Sequence, residues 1–311
     1  MDTKESTSFK VALVALDLTE IDDHVLKYTA MLSKHMELER IYFVHIAKRL
    51  VLSEELLEKF PDLSGPIDEK IEVDIHEKVQ QYFGDHNVTT KCIVQDGAPV
   101  DGILKLVKIK QVDLVIVGQK KTLKGSGIIS GRLARRCPCS LLFVTEQKEE
   151  VKLDKILVPV DFSNHSHLAL KRSQELAKKS GAALSISHVY NVPKGYYKTG
   201  KSFEEFSEIM RQNAEDDFNR FLTRNDLTDD FDCSYKLTKD GTIASSIHDH
   251  AYDTDVDLIV TGSKGRRGAI ATSMLLGSVA EKLVFLDAGI PVLIIKSEGE
   301  NTGILEALFK G

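Results

Sequence analysis

Displaced by 144 positions, the sequence falls on itself. Asp17 lies over Asp161, each closing an apolar run: Leu13-Val14-Ala15-Leu16 in one case, Leu157-Val158-Pro159-Val160 in the other. Asp96-Gly97 lies over Asp240-Gly241. Val112-Asp113-Leu114-Val115-Ile116-Val117-Gly118 lies over Val256-Asp257-Leu258-Ile259-Val260-Thr261-Gly262. At a displacement of 143, Val44-His45-Ile46 lies over Ser187-His188-Val189. One register persists over about a hundred residues, which coincidence does not explain, so the chain must fold as two copies of one unit. The length agrees, since 311 residues at ~150 per domain make two domains. The charged stretch Glu146-Gln147-Lys148-Glu149-Glu150 is the expected joint, giving domains 1–148 and 149–311.

Each copy alternates strand and helix. The second opens with Ile156–Val160, an apolar, β-branched run suited to a strand buried on both faces. Ser163 is the expected N-cap of a helix to about Ser180, with Gly181 as the C′ glycine. Ala183–Val189 is the next strand, followed by a long helix whose apolar face is Phe203, Phe206, Met210, Ala214, Phe218 and Phe221. Strand Cys233–Leu237, a helix from about Thr242, strand Leu258–Thr261, a helix from about Ser278 and strand Val292–Ile295 complete the unit. The first copy has the same order, with Ile67, Ile71, Ile75 and Val79 as the stripe of its long helix. Strands and helices alternating this way need right-handed crossovers, hence an α/β fold with a doubly wound, five-stranded parallel sheet in each domain. Ligands of such sheets bind beyond the carboxyl ends of the strands at the switch point, which places Asp161, Val189 and Gly262 around one crevice.

Composition narrows the function classes. A net charge of −6, from 41 basic and 47 acidic residues, gives no electrostatic footprint for nucleic acid or an anionic membrane. No apolar run approaches the ~18–20 residues that cross a bilayer. Met1-Asp2-Thr3-Lys4-Glu5-Ser6 has no apolar segment behind it, unlike a signal peptide. Four scattered cysteines (Cys92, Cys137, Cys139, Cys233) do not make a disulfide scaffold. The expectation is a reduced, cytoplasmic protein.

The chemistry-bearing motif follows the fourth strand of the second copy: Gly262-Ser263-Lys264-Gly265-Arg266-Arg267-Gly268, then Leu276-Gly277-Ser278-Val279. Glycines here permit φ > 0 and let a phosphate approach main-chain N–H groups, and Gly277-Ser278 opens a helix whose dipole favours an anion. A polyphosphate cradle is one reading; a strand–helix loop needing glycine only to turn is the other.

Together with Val158-Pro159-Val160-Asp161-Phe162-Ser163, His188-Val189, and Leu275-Leu276-Gly277-Ser278-Val279-Ala280-Glu281-Lys282, this motif resembles the universal stress proteins in their tandem two-domain form, over residues 9–146 and 152–296. The resemblance implies adenine nucleotide alpha-hydrolase-like, Rossmann-like domains, and a G-x2-G-x9-G-[S/T] pattern that cradles the ribose and phosphates of ATP, with or without Mg2+. By that resemblance Asp161 reads the adenine edge, Val189 meets adenine through its backbone and Pro159 lines the pocket. Thr261, Gly262, Gly265, Gly277, Ser278 and Val279 would hold ribose and phosphates. The family habit of pairing through the last strand, here Leu141–Val144 and Val292–Ile295, implies an internal pseudo-dimer, with a further homodimer open.

Both copies depart from the pattern. In the second, eleven residues rather than nine separate Gly265 from Gly277, which reads as an insertion around Gly268-Ala269-Ile270. In the first, Gly118-Gln119-Lys120-Lys121 and Gly131-Arg132 keep the spacing, but Lys121 replaces the second glycine, Arg132 the Ser/Thr, and Ala15 the proline. A long side chain there fills phosphate space, so the first copy is expected to be structural or to take another ligand.

Other candidates read as structure. His165 with His167 and His248-Asp249-His250 fit helix starts and surfaces and lack the further ligands zinc needs. Asp253-Thr254-Asp255-Val256-Asp257 imitates a calcium loop, yet Leu258 stands where its glycine belongs and Lys264 where its last glutamate belongs. Cys137-Pro138-Cys139 has the wrong spacing for a thioredoxin-like pair. His45 and His188 read as satisfied core histidines. No G-x-S-x-G or Walker A lysine is present, and Ser163 is a helix cap, so no catalytic residue is assigned. The basic, aromatic loop Lys194–Lys201 is a lid or an ordinary exposed loop, and Ile304–Phe309 a short amphipathic tail for the protein's own surface or a partner. The leading expectation is a stress-response module that binds ATP in its second domain and alters an unidentified protein partnership. The alternatives are a nucleotide-free interaction scaffold and a slow or partner-dependent ATPase.

Overall fold

The computed structural model describes residues 8–47, 54–59, 67–120, 127–146, 151–227, 231–238, 241–265, 276–286 and 289–297. The chain divides into two compact units, one running to Val151 and the other beginning at Lys152.

The first unit contains β1 (Val11–Leu16), α1 (Ile21–Ser33), β2 (Arg40–Ala47), α2 (Glu54–Lys59), α3 (Ile67–Phe83), β3 (Thr89–Asp96), α4 (Pro99–Lys110), β4 (Leu114–Gln119), α5 (Gly127–Arg136) and β5 (Ser140–Thr145). Its strands are ordered β3-β2-β1-β4-β5 and are parallel. The second contains β6 (Lys155–Pro159), α6 (Asn164–Ser180), β7 (Ala183–Tyr190), α7 (Phe203–Arg224), β8 (Cys233–Leu237), α8 (Ile243–Asp253), β9 (Leu258–Gly262), α9 (Ser278–Phe285) and β10 (Val292–Ile295). Its order is β10-β9-β6-β7-β8, again parallel. The α/β, doubly wound architecture expected from the repeat is thus present twice. In each unit the order reverses beside the first strand, which sets the switch point between β1 and β4, and between β6 and β9.

Local chemistry explains the boundaries. The Ser163 hydroxyl accepts from Ser166 N at the start of α6, and Gly181 ends that helix at φ +79°. Ser202 and Glu205 form a reciprocal capping box on α7, and Thr242 and Ser245 form one on α8. The repeated Val-Asp-Leu is a strand clamp. Asp113 Oδ2 accepts from Lys10 N and Val11 N, both at 2.9 Å, and Asp257 Oδ2 accepts from Asp154 N at 2.7 Å and Lys155 N at 2.9 Å. Each aspartate satisfies donors at the open end of its sheet's first strand, which commits Asp257 to the fold rather than to a calcium loop. Ala214, Phe218 and Phe221 of α7 are buried, as are Ile75 and Val79 of α3, so the apolar stripes face their sheets. The side chain of Ile67 lies outside the described residues.

Candidate functional site

Pro159 shapes the crevice of the second unit. Along β6 the Lys155 carbonyl accepts from Asp257 N on the β9 side at 3.0 Å, while Val160 N donates to Ser187 O of β7 at 2.8 Å. Alternation puts residue 159 on the β9 side, where a proline has no N–H to give. Accordingly β6 and β9 are registered at Ile156↔Leu258 and Leu157↔Ile259, whereas β1 and β4 stay registered from Ala12↔Leu114 to Ala15↔Val117. Ala15 and Pro159 are the repeat-equivalent positions. The strand ends separate earlier in the second unit, where the crevice begins.

Asp161 stands at its lip. Phe162 takes a left-handed φ of +64°, is buried, and stacks on His188 with ring centroids 4.4 Å apart. His188 Nδ1 is 2.8 Å from the Val160 carbonyl, and Arg224 donates to the Phe162 carbonyl at 2.9 Å. This strained turn fixes where Asp161 points. Its Oδ1 accepts from Ser163 N at 3.2 Å and from the Ser166 hydroxyl, which in turn accepts from Asp161 N at 3.0 Å. Oδ2 is turned toward Gly265, where a Cβ would lie 2.5 Å from it.

The three motif glycines have different reasons, and none has a left-handed φ. The alternative reading, a loop that needs glycine only to turn, is therefore corrected at these positions: each permits a close approach. Gly265 makes room for the Asp161 carboxylate. A Cβ on Gly262 would lie 2.7 Å from the backbone carbon, oxygen and Cβ of His165, so this glycine lets α6 pack onto β9 and its identity needs no phosphate. A Cβ on Gly277 would be 3.2 Å from Ser263 O, the carbonyl that accepts Gly277 N at 2.7 Å. Gly277 thereby docks the start of α9 on Ser263–Gly265. It is the N-cap of α9 in an extended conformation and supplies no side-chain cap. Ser278 is exposed and Val279 half-buried in that first turn, whose N–H groups suit an anion.

The structure brings Asp161, Gly265 and Gly277 together through these contacts, with Ser278 and Val279 continuing from Gly277. Val189 lies two residues beyond Ser187, the partner of Pro159, and so sits at the level of Asp161 one strand away. Thr261 is buried at the end of β9 with its hydroxyl 3.5 Å from the Gly262 carbonyl. Arg266–Leu275, including Gly268-Ala269-Ile270, lie outside the described residues, as do Lys121 and the 304–309 tail.

The first unit builds the same turn from other residues. Leu18 has φ +61°, His45 Nδ1 is 3.0 Å from the Leu16 carbonyl, and Lys120 Nζ is 2.6 Å from Asp17 Oδ2. Where the second unit has Ser166, the first has Asp22, whose Oδ1 accepts from Asp17 N at 3.1 Å and Oδ2 from Leu18 N at 2.8 Å. Asp22 is only 3 % exposed, and burial, with Asp17 alongside, raises its carboxyl to about 6. This group was missed in the sequence, although alignment of the repeats sets Asp22 against Ser166. Gly118 here faces the Ile21 and Val25 side chains rather than backbone. Arg132 is exposed on α5.

The remaining candidates have local roles. The His250 ring meets Ser234 Oγ at 3.0 Å, His248 meets Asp249, and the His167 ring edges onto Phe221. Tyr196 anchors the 194–201 loop against Phe203 and Phe206 of α7, leaving Tyr197 exposed. No helix among the described residues is long and apolar enough to cross a membrane.

Two doubly wound α/β units in tandem, with a glycine-lined crevice at the switch point of the second, define a duplicated, doubly wound α/β protein. The family is shown by the match to the universal stress protein family model over residues 8–145 and again over 152–296: the chain belongs to that family. It is similar to the universal stress protein YxiE of Bacillus subtilis, 32 % identical over 149 residues, 46 % of this chain and 99 % of the relative. A universal stress protein of Methanocaldococcus jannaschii is 28 % identical over 162 residues, 47 % of this chain and 96 % of that one. Among solved structures, a universal stress protein of Archaeoglobus fulgidus shares the fold with a TM-score of 0.63 at 18 % identity, covering 94 % of this chain and 98 % of its own.

Proposed function

We propose that the second unit binds an adenine nucleotide, ATP foremost, in the crevice between β6 and β9, and that occupancy changes which protein the chain engages. Asp161 takes the adenine edge with the Val189 backbone, Pro159 lines the wall, and Gly265, Gly277, Ser278 and Val279 receive the ribose and phosphates. Thr261 and Gly262 support that cradle from behind. The observation that carries this reading is the place at Gly265: a Cβ there would stand 2.5 Å from Asp161 Oδ2, so only glycine lets the loop after β9 and the Asp161 carboxylate meet at one lip. The first turn of α9, without a side-chain cap, supplies the anion-binding end. Mg2+ would arrive with the triphosphate. The reading is of binding without committed hydrolysis, because Ser163 caps α6 and Asp161 is held by Ser163 and Ser166, which leaves neither in a nucleophile–base pair. In the first unit Ala15, Asp22 and the Lys120–Asp17 pair favour a crevice that takes no nucleotide.

The test is the nucleotide content of freshly purified protein, denatured and separated by ion exchange. About one ATP per chain is expected. About two overturns the reading of the first unit, and an empty protein that gives no heat with added ATP hands the function to a nucleotide-free scaffold. Steady phosphate release at ordinary enzymatic rates overturns the absence of hydrolysis.

A further inference from the structure

Cys137 and Cys139 face one another across Pro138 with their sulfurs 3.4 Å apart. Both flanks of this three-residue turn are anchored. The Cys137 N–H donates to the Leu133 carbonyl at 2.8 Å, closing α5, and Ser140 N donates to the Asp113 carbonyl at 3.2 Å as β5 begins. Pro138 fixes its own φ near −65°. The thiols are therefore held together by the backbone, and bonding them at about 2.05 Å asks the sulfurs to close by about 1.3 Å, within reach of side-chain rotation. Access is asymmetric: Cys137 is fully buried and Cys139 is half-buried at the rim.

We infer that Cys137-Pro138-Cys139 is a redox modification site, closing to an intramolecular disulfide with a hydroperoxide as oxidant. The Cys139 sulfur attacks the peroxide oxygen, breaking the O–O bond and giving a sulfenic acid and one water. The Cys137 sulfur then displaces hydroxide from the Cys139 sulfur; with the Cys137 proton this leaves as the second water. Two thiols are oxidised and one hydrogen peroxide is reduced to two waters, with no other reactant. A disulfide in so short a loop is strained and easily reduced, as a reversible switch requires. Burial raises the Cys92 thiol and pushes the Cys233 thiol up to about 12, so neither is rich in thiolate. The pair lies at the amino end of β5, the end of its sheet away from the switch-point crevice, so the switch is independent of the nucleotide reading.

The test is a thiol count on the full chain, denatured after brief hydrogen peroxide treatment and catalase quench. The four thiols per chain should fall to two. The peptide spanning Cys137–Cys139 should lose two hydrogens in mass, and dithiothreitol should restore the count. Cys139→Ser should keep its three thiols under the same treatment, and nucleotide content should be unchanged in both proteins. A count that stays at four, a loss mapped to Cys92 or Cys233, Cys139 carried to sulfinic acid with Cys137 intact, or a disulfide between chains would each overturn the inference.

Discussion

Replacing Asp22 by asparagine should remove one component of the pH dependence of the first unit's stability. The carboxyl is buried beneath the Asp17–Leu18 turn and moves from the ordinary 3.8 to about 6, chiefly through burial, with Asp17 adding to it and the two backbone N–H bonds opposing it. The native state then holds this proton more tightly than the unfolded chain does. Its contribution to stability is therefore greatest below about pH 4 and falls as pH rises through about 6. The interval from 3.8 to about 6 corresponds, at 1.36 kcal/mol per pH unit, to about 3 kcal/mol. Asparagine imitates the protonated shape without a charge to desolvate. Urea unfolding followed by circular dichroism, for both proteins from about pH 4 to about pH 7, isolates the effect, because titrating groups that do not interact with Asp22 cancel in the difference. The Asp22→Asn protein should gain on the parent by about 2–2.5 kcal/mol between the two ends of that range, most of the full difference. A difference that stays flat, or one that shrinks as pH rises, would refute the assignment of Asp22 as a buried carboxyl titrating near neutrality.

Gly262→Ala should cost about 2–4 kcal/mol in thermal or urea unfolding of the second unit, because the new Cβ meets His165 backbone at 2.7 Å; Gly118→Ala, which meets the Ile21 and Val25 side chains at 2.9–3.1 Å and no backbone, should cost less. Gly265→Lys, which gives the second unit the residue found at position 121, should weaken ATP binding in calorimetry by at least ~10-fold while the fold survives, since it displaces the Asp161 carboxylate and forfeits charge-assisted bonding. Pro159→Ala restores a donor facing β9. It should leave stability unchanged or slightly raised while nucleotide content drops, and equal content in the two proteins would remove Pro159 from the site.

What the sequence made legible was local or repeated. Ser163, Gly181 and Thr242 mark helix ends because capping acts between residues a few positions apart. The repeat carries the fold, since two matching strand–helix alternations have few right-handed solutions. The site was legible as a location but not in its reasons. Gly262 and Gly265 look alike in the motif, yet one answers a helix backbone and the other a carboxylate, each about a hundred residues earlier in the chain. A proline at 159 is plain in the sequence, but the side to which its missing N–H would have pointed depends on strand register. Asp22 looks like an ordinary acidic residue in the first turn of a helix, and only the turn folded over it makes it a buried one.

The two units diverge most at positions that act on the crevice through other groups. Ser166 has both a proton and lone pairs, so one hydroxyl accepts from Asp161 N and donates to Asp161 Oδ1, which fixes the carboxylate. Asp22 in its ionised form can only accept; it satisfies the turn's N–H groups and places a second carboxyl beside Asp17. A polyanionic ligand entering the first crevice would meet a second carboxyl beside Asp17, and strands β1 and β4 that remain paired where β6 and β9 have separated. Ala15 and Asp22 thus favour closure without disturbing the strand order that both units share. Duplication supplied two equivalent sheets, and a few substitutions around the first-strand turn are enough to give their two crevices different linings.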